Sequence, residues 1–436
     1  MTKSATNAVL EIDAWGANLN KLENGKLDQR FFGAHRYRRT CYSGDYTGES
    51  ILKALLNKCN NIGINIEDNQ YVTEVLVKNN SCFGAMSFNT RTAEKKLNLA
   101  DAVIICTGGH TRIWKKSSSR KEENTGDGFY LALNAGLKLI DMEMVQFHPT
   151  GMLFPEEMEG FLVTEAVRGE GGYLKNSKGE RFMINYDKKR MELSTRDKVS
   201  LANYTEIING RNSPNGGVYL DISHKKKDFL IKKLPKIYRQ FMEMQMIDIS
   251  KEPMEVAPTA HYSMGGIKVD IDHMTSIEGL FAAGEVAGGL HGANRLGGNS
   301  LAEILIFGKN VGIAAAKYSR QIKCIIRDKE VISNAIYKID RQLQNGEEFA
   351  VQLQNELRGI MWEYCGVVKE ENLLKLGLEK INNLKNKAKN VEVRLESNNC
   401  KDLINKFNLD ACLISAEATL LSSLERCESR GSHQRK

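Results

Sequence analysis

Apolar positions change their rhythm twice along this chain. In the first third, short strand-like runs alternate with helical spacing. Ile51, Leu52, Leu55 and Leu56 predict a helix over 50–62, closed by Gly63. Tyr71–Lys78 and Ser81–Asn89 read as two strands joined by an Asn-Asn turn. Ala102–Cys106 is a continuous apolar run that ends in Thr107-Gly108-Gly109. That is the pattern of a buried strand whose carboxyl end opens onto a ligand. Gly126-Asp127-Gly128 then precedes an apolar helix over 129–134. Residues 144–258 carry many charges and no repeated strand–helix rhythm. A second apolar strand follows at Gly279–Ala283, then Gly284-Glu285 and a glycine-rich loop over 288–298 that leads into a helix from Asn299. Beyond about 313, glycine becomes rare and Lys, Glu, Asn and Leu alternate at helical spacing. Helices are expected near 329–345, 348–363, 368–389 and 408–425.

Strand-type segments therefore flank 144–258 on both sides. The expected fold is α/β: one α/β domain interrupted by an inserted domain over 144–258. A helical domain over 313–436 follows.

Composition narrows the class. The chain has 436 residues, 42% hydrophobic and 26% charged, which is globular composition with room for several domains. No apolar run is long enough to span a membrane, and the first residues carry no secretory signal pattern. The net charge of +7 is scattered, so nucleic acid is not an expected partner. Nine cysteines without a CxxC pair predict free thiols in a reduced compartment and no zinc or iron–sulfur site on this chain.

The chemistry-bearing residues cluster. They lie in Gln146-Phe147-His148-Pro149-Thr150-Gly151, in 164–172 (TEAVRGEGG), in Ser194-Thr195-Arg196-Asp197, in 261–266 (HYSMGG) and in 291–301 (HGANRLGGNSL). Two histidines, three arginines, one threonine and one glutamate stand out. Arginine forks with neutral donors form the set that a small dicarboxylate needs. Taken alone, Glu165 would be a surface carboxylate, and His110, His224, His273 and His291 would be surface or structural. Met142, Met144 and Met152 read as core fillers.

These motifs, in this order, resemble the flavoprotein subunit of succinate dehydrogenase and fumarate reductase. L-Aspartate oxidase and soluble fumarate reductases belong to the same superfamily. The resemblance runs from about Asn24 to Lys436, including 24–33 (NGKLDQRFFG), 39–52 (RTCYSGDYTGESIL) and 428–436 (ESRGSHQRK). It implies FAD as cofactor, and hydride exchange between flavin N5 and succinate or fumarate. By the same resemblance, His148, Thr164, His261 and Arg295 hold the substrate carboxylates. Arg196 is the proton shuttle, and Glu165 and Arg168 relay protons to it. Asp127, Glu285, Ser300 and Leu301 match cofactor-contacting positions. By the resemblance, the 1–143 and 259–312 segments form an N-terminally incomplete, Rossmann-like FAD-binding domain, 144–258 its inserted α+β capping domain, and 313–436 the C-terminal helical domain. An iron–sulfur subunit, membrane anchor subunits and a quinone are the implied electron partners. The expected location is cytoplasmic, peripheral on the inner face of the cell membrane.

The sequence also departs from the family pattern. No Gly-x-Gly-x-x-Gly turn occurs near the N-terminus, the Ser-His-Thr segment is missing, and the C-terminal Asp-Phe-Pro segment is absent. Weak retention of FAD by this chain alone is therefore expected. Two alternatives follow: an L-aspartate oxidase or soluble fumarate reductase, or a non-catalytic chain unable to hold FAD. Leu296-Gly297-Gly298 favours the first reading, because aspartate oxidases usually carry Met-Ala-Ser there.

Overall fold

The computed structural model describes residues 1–395 and 399–436. The chain opens with a helix, α1 (Thr2–Ile12), that the sequence does not announce. It buries Ile12, which joins Ile51 and Ala54 of α2 (Thr47–Asn61) in a small core. Next come β1 (Gln70–Lys78), β2 (Ser81–Asn89) and β3 (Lys95–Leu99), an antiparallel sheet. Asn79 and Asn80 both adopt positive φ in the turn between β1 and β2, a conformation asparagine tolerates. β4 (Val103–Ile105) and α3 (Asp127–Asn134) complete the first segment.

The insert is built on a four-stranded antiparallel sheet. In chain order its elements are β5 (Val145–Met152), β6 (Tyr173–Lys175), α4 (Arg196–Ile208), β7 (Val218–Asp221), α5 (Pro235–Gln245) and β8 (Met254–Ser263). The sheet order is β5-β8-β7-β6. Every residue of β5 is buried, because the strand is covered on both faces. The sheet and α4 enclose a core of Met152, Val163, Val199, Leu220 and Phe241.

The chain then returns to the first segment. β9 (Leu280–Ala282) pairs with β4 in parallel, with Leu280 opposite Val103 and Ala282 opposite Ile105. Helix α6 (Asn299–Gln321) follows. Four more helices form the last part: α7 (Lys329–Asp340), α8 (Ala350–Tyr364), α9 (Glu371–Lys387) and α10 (Lys401–Glu425). Leu353, Leu357, Leu374, Ile381, Leu413 and Leu420 join them in one core with Phe83, Phe88 and Trp114. The expected division at 312/313 falls inside α6, and the 322–328 connection separates that helix from α7. No helix among the described residues is long and apolar enough to cross a membrane.

Candidate active site

Two strands of the insert set the floor of the site. On β5, Gln146 and His148 are two apart and share one face. On β8, the register advances from Ala260↔Phe147 to Tyr262↔Gln146, so His261 is the extra residue of a β-bulge. A bulge re-aims the side chain it inserts. The result brings the His148 and His261 rings to 5.1 Å between centroids, edge to face.

The remaining groups arrive from turns and helix ends. Glu165 and Arg168 stand three apart around the short helix Ala166–Gly169. Arg196 is the first residue of α4. That is the unfavourable end of a helix for a cation, and Glu165 offsets it. Its Oε2 accepts from Arg196 Nε at 2.8 Å and lies 2.7 Å from Arg196 Nη2. The other oxygen, Oε1, accepts from Gly33 N at 2.6 Å and lies 3.6 Å from Arg168 Nη2. Glycine is required at 33, since a Cβ there would sit 2.6 Å from that same Oε1 and from the Ser194 carbonyl. Burial alone would raise the Glu165 carboxyl; the Arg196 and Arg168 charges and the Arg196 and Gly33 hydrogen bonds bring it down to about 2.

Arg295 comes from the loop before α6. Its Nη1 donates to Ser300 Oγ at 2.8 Å and its Nη2 to Gln146 Oε1 at 3.2 Å. Gln146 Oε1 also accepts from Arg196 Nη1 at 3.0 Å, so one neutral carbonyl bridges the two guanidiniums. Burial, with Arg196 close by, lowers Arg295 to about 10. Burial first, then the Arg196 charge, holds both His148 and His261 well below the ordinary histidine value.

The tautomer of His148 follows from its partners. Thr150 Oγ1 donates to the Val163 carbonyl at 2.7 Å, while Thr150 N donates to His148 Nδ1 at 3.3 Å. Nδ1 is therefore an acceptor, and Nε2 carries the proton. Among the described residues that Nε2, like Arg295 Nε, is buried without a hydrogen-bond partner. Ser118 Oγ, 2.8 Å from His261 Nδ1, orients the second ring.

A cavity of about 520 Å³ lies over these groups. His148, Thr164, Glu165, Arg196, His261 and Arg295 all line it, as do Ser300 and Leu301. Arg168 stands behind Glu165, fully buried, with Nη1 donating to the Glu192 carbonyl at 2.6 Å. Asp127 and Glu285 lie outside that lining. Asp127 accepts from Tyr71 and Thr125 hydroxyls. Glu285 follows β9 and accepts from Ser263 N at 2.9 Å; burial pushes its carboxyl up to about 7. The sequence motifs left Gln146, Gly33, Tyr262 and Glu303 without roles. The spacing of Gln146 from His148 on one strand was the available signal for the first. Glu165 is 2% exposed, against the default of a surface carboxylate. His110 and His291 are structural rather than surface groups. His110 is bonded to Ser263 and Thr419, and His291 to Glu303.

The cavity fits the flavin part of FAD. Gly298 caps α6 at φ +81° with no side-chain cap, and residues 297–302 line the wall. An open helix N-terminus supplies N–H donors and a positive dipole end to an electron-rich ring. Glu285 stands at the carboxyl end of the β4–β9 parallel pair, where α/β folds place cofactors.

A sequence model described as "FAD binding domain" matches residues 1–301, and one described as "Fumarate reductase flavoprotein C-term" matches residues 354–436. A subunit of the fumarate reductase (CoM/CoB) of Methanothermobacter marburgensis is 42% identical, over 100% of this chain and 79% of its own length. The flavoprotein subunit of the 8-methylmenaquinol:fumarate reductase of Wolinella succinogenes is 36% identical, over 99% and 71%. Among solved structures, the FrdA chain of E. coli quinol fumarate reductase superposes with a TM-score of 0.94. It shares 33% identity and covers 100% of this chain and 77% of its own. Mycobacterium smegmatis Sdh1 gives a TM-score of 0.85 at 37% identity, covering 99% and 74%.

Proposed function

The chain belongs to the fumarate reductase and succinate dehydrogenase flavoprotein family, an FAD-dependent oxidoreductase family, and from that premise we propose that it interconverts succinate and fumarate. The observation that carries this reading is the convergence of His148, Thr164, Glu165, Arg196, His261 and Arg295 on one cavity. FAD, when bound, supplies the hydride donor or acceptor. Ser300, Leu301 and the α6 N-terminus would hold its ring, with Glu285 and Asp127 toward the rest of the molecule.

The side chains divide the work. His148 Nε2–H and Arg295 Nε are buried donors without partners among the described residues, suited to a carboxylate. Because His148 and His261 stay neutral, they donate hydrogen bonds without neutralising the substrate's charge. Thr164 adds a hydroxyl at the cavity wall. Arg196 delivers or removes the proton at the carbon adjacent to the hydride site. Glu165 and Arg168 form the buried path by which that proton reaches Arg196. Arginines around the carboxylate replace water as donors and stabilise charge that builds up on it.

Electrons would pass to an iron–sulfur subunit, with anchor subunits holding the assembly at the inner membrane face. A quinone is one terminal partner. A second reading has its own support: the relative named for coenzyme M and coenzyme B is 42% identical, against 36% for the menaquinol-named one. The donor that this name points to, CoM/CoB, would then replace quinol as electron source. Turnover of the FAD-loaded chain with succinate, fumarate and L-aspartate, using artificial electron carriers, tests the proposal. Activity with the first two and none with aspartate is expected; aspartate turnover alone would overturn it.

A further inference from the structure

Arg295 is fully buried, yet no carboxylate contacts it among the described residues. An isolated buried cation is costly unless other groups compensate it. One such group is the Tyr262 ring, whose centroid lies 4.3 Å from the guanidinium carbon. Tyr262 Oη donates to Glu303 Oε2 at 2.6 Å, and His291 Nε2 lies 2.7 Å from the same oxygen. The His291 and Tyr262 rings meet edge to face at 5.5 Å. All three side chains are nearly or fully buried, with Glu303 3% exposed. The motif reading gives none of them a role.

We infer that Glu303, with His291, is a positioning residue for Arg295, acting through the plane of the Tyr262 ring. Two physical effects combine. Two neighbours converging on one carboxylate oxygen fix where the tyrosine hydroxyl sits, and so fix the ring. A phenol that donates to a carboxylate also gains electron density on its face, which strengthens its hold on a cation. Ser300 and Glu303 both belong to the first turns of α6, so one helix end sets Arg295 directly and again through Tyr262. The inference deepens the dicarboxylate reading and rests on it for its consequence, but not for its geometry.

The test uses Glu303→Gln, Tyr262→Phe and the double variant of the FAD-loaded chain. Calorimetric affinity for fumarate should fall about 3- to 30-fold in either single variant, with KM rising in parallel and kcat moving less. The double variant should be no worse than the poorer single one, because both break one linkage. A merely structural role would lower the melting temperature and the active fraction without moving KM. A second readout needs no substrate: the Arg295 Nε–H resonance, assigned with Arg295→Lys, should be ring-current shifted in the parent. It should move toward its ordinary position in Glu303→Gln. An unmoved resonance, or additive losses in affinity, overturns the inference. A parent that shows the shift but binds neither fumarate nor succinate overturns the functional proposal and leaves the positioning intact.

Discussion

Arg196 meets Glu165 with two nitrogens and Gln146 with a third, and this sets what each residue can do. Arg196 is the proposed proton donor, and removing it leaves the cavity wall at residues 297–302 intact. Arg196→Ala should therefore cut succinate turnover by about 10³-fold or more while FAD binding is unchanged; near-normal turnover in an FAD-loaded variant would contradict the assignment. Gln146 has a different role. Gln146→Leu strands N–H groups on two buried guanidiniums, so unfolding free energy should drop by about 1–3 kcal/mol in urea titration. An unchanged midpoint would mean that water or substrate-side groups take over its carbonyl. At this scale the sequence was most informative where ordered motifs single out a residue, as at His148 or Arg295, both of which line the cavity. It was least informative for Glu303, which sits in a helix and resembles any solvent-facing glutamate until Tyr262 and His291 are seen against it.

Single elements tie the insert to the wall of the cavity. Asp45, which lines the cavity, accepts from Lys236 N at 3.1 Å and Ile237 N at 3.0 Å, capping the N-terminus of α5 across two parts of the chain. Such a cap is worth about 1 kcal/mol. Asp45→Ala should lower stability by about that amount, and protease sensitivity should rise selectively between 222 and 250. Unaltered cleavage would show that α5 is held by its core residues Ile237 and Phe241 alone. Element identity was legible wherever periodicity was strong: the β1–β2 pair and α2 fall within a few residues of the sequence reading. Two features were not. Helix α1 buries only Ile12 and forms against α2 and α6, so what holds it in place lies on distant segments of the chain. The bulge at His261 depends on which residues of β5 oppose β8, and pairing register is not written in either strand alone.

Across the whole molecule, buried titratable groups set a pH dependence. His110 is lowered by burial to about 3 and His433 to about 4, and His148 and His261 lie well below the ordinary value of 6.5. Below that value the unfolded chain binds protons at all four, and the folded chain does not. Stability therefore falls as pH drops from about 6.5 toward 4. Glu285, raised to about 7 from 4.5, acts in the opposite direction, because its folded form binds a proton first. His35 and His273 are lowered as well and Asp410 is raised, so six histidines against two carboxyls leave a net loss, at roughly 1.4 kcal/mol per pH unit for each uncompensated proton. Urea midpoints at pH 7.5, 6.5 and 5.5 should fall steadily, and a flat series would contradict the burial of neutral histidines. The three-part architecture was legible from the change of rhythm near 144 and near 313. The change near 313 does not coincide with an element end, because α6 runs unbroken past it.

Dicarboxylate chemistry at this site is tested most directly by anaerobic titration of the FAD-loaded chain with succinate, followed in the visible flavin band. Succinate should bleach the band in the parent, fumarate should restore it, and Arg196→Ala at equal FAD content should show no bleaching. A flavin band that succinate leaves unchanged in the parent, or that bleaches equally in Arg196→Ala, would contradict the assignment of this cavity and of its proton donor.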